Sequence, residues 1–131
     1  MWPFRKSRNL SDHLCELKTV HIDGIIFKIK KIDLYSRMAG YQSVLCLYDK
    51  YENKKKNDLT LTEPSDKDME KIKHHFRDVF LSGVVKPKLS LKEEDGHICV
   101  DEIFRDWELA GNLYQEIIAY TYGKKKPMFA T

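Results

Sequence analysis

From Thr19 to Asp33 the apolar positions of the chain alternate with polar ones, and beyond Asp33 they recur at spacings of three and four. In the first region Asp23-Gly24 is a two-residue turn of the kind that lets both central residues take positive φ, with β-branched and aromatic residues on each side. Ile25, Phe27 and Ile29 alternate with Ile26, Lys28 and Lys30, which predicts a β-hairpin over residues 18–32 with one apolar and one basic face.

In the second region Asp33 reads as an N-cap and Gly40 as a break or kink. Tyr41, Val44, Leu45, Tyr48 and Tyr51 then lay an apolar stripe along a helix predicted over about 34–53. The run from Lys54 to Asn57 reads as an exposed loop.

Ser65-Asp66-Lys67-Asp68, after Pro64, has the composition of a helix start: a Ser cap and acidic residues in the first turn. Met69, Ile72, Phe76, Val79 and Phe80 form the apolar face of a helix over 66–82. Gly83 is expected to supply a left-handed C-terminal residue. Lys71, His74, His75 and Arg77 are assigned to its exposed side.

The stretch LSGVVKPKLS then reads as a connector: Val84 and Val85 return to the core in extended form, and Pro87 keeps Lys86 out of the helical region. After a polar turn at Glu94-Asp95-Gly96 and the short run Ile98-Cys99-Val100, Asp101 is the expected cap of a last helix over 101–122, with a joint near Asp106. The expected fold class is α+β, a mainly α-helical single domain over 18–123 with an N-terminal β-hairpin. Flanking it are a basic segment 1–17, with a short helix begun at Ser11, and a basic tail 124–131.

Composition adds limits rather than identity. A hydrophobic share of 42% and a charged share of 33% fit a folded soluble domain, and no apolar run approaches the ~18 residues of a spanning helix. The start MWPFRKSRN lacks the apolar core of a secretory leader; Trp2 and Phe4 beside Arg5, Lys6 and Arg8 read as a mobile terminus ahead of an amphipathic anchor. Three widely spaced cysteines with no C-x-x-C pair fit a reducing compartment.

Charge is unevenly placed. Residues 1–31 hold seven basic groups against three acidic ones, whereas residues 93–108 hold seven acidic groups against Arg105 alone. Such polarity suits docking between opposed faces, including self-association, as well as simple solvation.

Catalytic chemistry has little to start from. There is no G-x-S-x-G, Walker loop, dinucleotide fingerprint or EF-hand loop. His97 and Cys99 are two residues apart on an expected strand, which is a poor dyad. His13, Cys15, His21 and Cys46 lack zinc-ligand spacing. Glu93 and Glu94 fall in a solvated turn. The lysines of the hairpin and Lys124 to Lys126 could contact phosphate, but the acidic stretch before the last helix makes nucleic acid an unfavoured partner.

The order of these pieces carries a resemblance. A hairpin with D-G-x-x-F-K-I-K-K-I-D, a tyrosine-rich helix, a helix ending in L-S-G-V-V-K-P-K-L, and then I-C-V-D-E-I-F-R-D-W-E-L-A-G-N-L-Y-Q-E-I-I resemble the small tail assembly chaperones of long-tailed bacteriophages. Members of that family often pass from a helix through G-V-V-x-P-K-L to a short acidic run and a final helix. The similarity covers residues 18–122.

It implies a non-enzymatic protein with no cofactor, no metal and no membrane association. The implied partners are the tape-measure protein and tail-tube subunits, met in the host cytoplasm during assembly. On that model Val84, Val85, Pro87 and Leu89 are the candidate protein-binding residues, with Trp107, Leu109, Leu113 and Tyr114 as a groove or core wall. The alternative is a small structural protein retained in the virion.

Overall fold

The two-residue turn has positive φ at both positions, 51° at Asp23 and 79° at Gly24, as the tight hairpin geometry requires. It joins β1 (Leu17–Ile22) to β2 (Ile25–Lys30) in the register Leu17↔Lys30 to Ile22↔Ile25. The computed structural model, which describes residues 9–57 and 65–123, adds a third antiparallel strand, β3 (Val84–Lys86), beyond β2. The described residues thus form a small α+β domain with its hairpin toward the N-terminal end.

A short helix α1 (Leu10–Leu14) precedes β1. Its cap is Asn9, whose side chain accepts the Ser11 N–H, so the helix begins ahead of the expected Ser11. The Trp2 to Arg8 segment, the tail from Lys124 and the side chain of Tyr51 lie outside the described residues.

Asp33 accepts the Ser36 N–H at 3.2 Å and starts a 3₁₀ turn, Tyr35–Arg37, that runs directly into α2 (Met38–Asn57). Gly40 therefore breaks nothing. A Cβ there would lie 2.7 Å from Nδ1 of His75, so the glycine lets α2 approach the next helix closely. The backbone also stays helical through Lys54 to Asn57, where a loop was expected. Lysine is a good helix former and a cation suits the negative end of the helix dipole, which the turn-like composition concealed. Within the predicted stripe Tyr41 and Val44 are buried, while Tyr48 is 53% exposed.

The second long helix, α3 (Asp66–Gly83), starts where expected: Ser65 Oγ accepts the Asp68 N–H. Gly83 is not left-handed, and the chain turns straight into extended Val84. The reason for glycine is space, since a Cβ would meet Ile117 Cγ2 at 2.9 Å and Ile32 Cγ2 at 3.1 Å.

Beyond β3 and a cis Lys86–Pro87 peptide, β4 (Leu89–Ser90) pairs in parallel with β5 (Ile98–Cys99). A 3₁₀ helix, Val100–Arg105, follows in place of the expected α-helical turn at Asp101. Asp106 is extended, and its carboxylate accepts the Leu109 N–H at 3.1 Å. That cap starts α4 (Trp107–Tyr122) at the joint read from the sequence, and Gly123 with φ 80° ends it.

Helix α4 crosses the inner face of the sheet, contacting β1 and β2, and α3 packs beside it with α2 against α3. Val20, Phe27 and Ile29 from the sheet meet Leu113, Ile117 and Ile118 in one core. Burying each large aliphatic or aromatic side chain of this kind is worth about 1.5–3 kcal/mol. Ile25, in phase with this set, is nonetheless 44% exposed at the turn end of the hairpin.

Candidate protein-binding surface

The eight candidate positions divide into two environments. Val84, Leu109, Leu113 and Tyr114 are buried in the core, so they set the shape of the domain rather than offer a surface. Val85, Pro87 and Leu89 are half-buried, and Trp107 is 40% exposed. Residues 84–90 hold the chain's course between sheet and core: Val84 pairs with Ile29, and Leu89 pairs with Ile98 and packs against the core.

Trp107 is the outer end of an aromatic stack. Its ring lies parallel to Phe76 (5.5 Å between centroids, 9°), and Phe76 lies parallel to Tyr114 (4.2 Å, 11°). Phe104 adds a tilted contact to Trp107, and the Arg77 guanidinium sits 5.8 Å from the Phe104 ring centre. Arg77 also donates to the Asp101 carboxylate at 2.8 Å, tying α3 to the 3₁₀ helix.

At the inner end of the stack lies His75, which the sequence reading had assigned to the solvent side. It is buried, 2.9 Å from the Tyr114 hydroxyl through Nε2, and its other ring nitrogen faces Gly40. Burial pulls the imidazole pKa down to about 4, against the opposing pull of the Asp78 carboxylate. Burial likewise pushes the Tyr114 hydroxyl well above its ordinary range. The signal was present in the spacing: His75 falls three residues after Ile72 and four before Val79, inside the apolar stripe.

Around this buried pair, Arg37 donates to Asp78 at 2.7 Å, to Ser82 Oγ at 2.7 Å and to the Asp33 carbonyl at 2.8 Å. One side chain thereby fixes the entry to α2 against α3. His75 and Tyr114 thus satisfy each other inside a clamped core.

The β4–β5 region is different. Leu91 is 63% exposed and Ile98 43%, beside a shallow open groove lined by Glu93, Glu94, Asp95, His97, Cys99 and Glu102. His97 is 3.5 Å from the Glu94 carboxylate, and Cys99 Sγ is directed at the Leu91 carbonyl, so the two do not face each other as a dyad. Among the described residues no three His, Cys, Asp or Glu side chains are grouped to hold a metal ion, the His13, Cys15, His21 and Cys46 set included.

The outer face of the sheet, opposite the core, presents Leu17, Thr19 and His21 from β1 with Ile26, Lys28 and Lys30 from β2. Leu17 and Ile26 are both exposed, and Lys86 of β3 is the cross-strand partner of Lys28. Among the described residues no helix is long and apolar enough to cross a membrane. Comparison with protein-family models, curated proteins and solved structures finds no match to this chain.

Proposed function

We propose that the chain is a non-enzymatic assembly protein of a long-tailed phage, one that binds the tape-measure protein and recruits tail-tube subunits. The observation that carries the reading is the build of residues 84–105, the segment in which the resemblance is most specific. Val84, Val100 and Ile103 anchor that segment in the core, while Ile98 stands at the surface among carboxylates and Leu91 is exposed just after β4. An apolar strip rimmed by charge is the ordinary design of a surface that takes up another protein. The strongly displaced titratable pair, His75 and Tyr114, is used up in packing.

Co-expression with a tape-measure and a tail-tube protein from the same genome tests this. A soluble complex retained through purification, together with absence of the chain from finished particles by mass spectrometry, is the expected result. Abundant peptides in the particles would instead assign a permanent structural subunit.

A further inference from the structure

Two patches of this chain carry an excess of one charge, with members that no opposite charge of the described chain pairs. On the sheet, Lys28, Lys30 and Lys86 have no carboxylate at salt-bridge distance among the described residues. Lys28 and Lys86 stand directly across from each other, an arrangement that costs stability when both are charged. On the β4–β5 loop, which also holds Lys92, Glu93 and Asp95 have no cationic partner at salt-bridge distance among the described residues. Elsewhere the domain pairs its acids: Asp78 with Arg37, Asp101 with Arg77, Glu102 with Arg105.

Each patch also has exposed apolar side chains, Leu17 and Ile26 at the two ends of the hairpin's outer face, and Leu91 and Ile98 on and beside β4 and β5. The same elements therefore recur with opposite charge. Both patches are held at the surface by buried neighbours, Phe27 and Ile29 under the sheet face and Val100 and Ile103 under the acidic segment.

We propose that the chain self-associates through these two patches, the basic outer sheet face of one copy seating the acidic β4–β5 segment of a second copy. Opposite potentials steer the two faces together and fix their register, and Leu17 and Ile26 lose water against Leu91 and Ile98. The approach of Glu93 and Asp95 also relieves the opposition of Lys28 and Lys86. Because the two joined patches differ, the contact can close a ring or a reciprocal pair, or continue as a filament.

Sedimentation velocity on the full chain, over a concentration series at low and high salt, tests the proposal. Oligomers are expected at about 0.1 M salt. Their dissociation constant should rise at least about tenfold at about 1 M, where the screening length falls to about 3 Å. K28E/K30E and E93K/D95K, both at surface positions and checked for folding by circular dichroism, should each be monomeric alone and should associate when mixed.

A wild-type chain that stays monomeric at every concentration in low salt would overturn the proposal. So would association that survives E93K/D95K. Binding of a generic duplex DNA lost only with K28E/K30E, in a chain that does not self-associate, would assign the sheet face to nucleic acid instead.

Discussion

His75 Nε2 and the Tyr114 hydroxyl lie 2.9 Å apart inside the core, joining the middle of α3 to the middle of α4. The geometry holds the imidazole neutral, because burial disfavours its charged form and brings its pKa to about 4 from an ordinary 6.5.

A pH dependence follows. The unfolded chain binds a proton at this histidine near pH 6.5 and the folded chain only near pH 4, so stability falls as pH drops through that window. The full effect is about 3 kcal/mol. Urea midpoints between pH 7.5 and pH 4 should show this loss, and His75→Leu should flatten the slope while removing the hydrogen bond to Tyr114, at a cost of about 0.5–1.5 kcal/mol. An unchanged slope in the variant would place the titration elsewhere.

Two helical glycines should respond to alanine with opposite sign. At Gly83 the added methyl meets Ile117 and Ile32 at 2.9 Å and 3.1 Å, so Gly83→Ala is expected to destabilise by about 1–3 kcal/mol. At Gly111, inside α4, nothing lies within 4 Å of the new Cβ, and Gly111→Ala should stabilise by roughly 0.5–1 kcal/mol. Thermal unfolding of the two single variants checks both.

How much of this was legible in the sequence depended on whether a residue's neighbours were local. The Asp23-Gly24 turn, the Ser65 cap and the joint at Asp106 are decided within four residues, and each was readable. Gly40 and Gly83 were misread as backbone punctuation because the atoms that require them, His75 Nδ1 and Ile117 Cγ2, belong to other helices. The extended course of Val84 and Val85 was readable, but their pairing as a third strand was not, because Val84 to Lys86 is too short to show a period and forms only against β2. Of the four candidate positions set on the last helix, Leu109, Leu113 and Tyr114 are buried and Trp107 is 40% exposed, a division that depends on the neighbouring elements and could not be read from spacing alone.

Arg37 should matter more than a surface arginine usually does. It links Asp33, Asp78 and Ser82 across three points of the chain with a planar donor set that lysine cannot copy. Arg37→Lys is therefore expected to lose roughly 1 kcal/mol, close to the loss for Arg37→Ala. Chemical denaturation of the two variants side by side is the check; full retention in the lysine variant would reduce the role to charge alone.

Reversing one member of the Lys28–Lys86 pair should stabilise the monomer. Lys86→Glu replaces a like-charge cross-strand pair with an opposite one, worth roughly 0.2–1 kcal/mol at low salt and less at high salt. Melting temperatures at the two salt concentrations read this directly.

The claim that the chain works by holding tail components is tested most directly by titration calorimetry of the full chain into the purified tape-measure protein. A saturable complex with a dissociation constant of about 1 μM or tighter, about −8 kcal/mol, is the expected result. Absence of heat and of co-elution at tens of micromolar, with the chain shown to be folded, would contradict it.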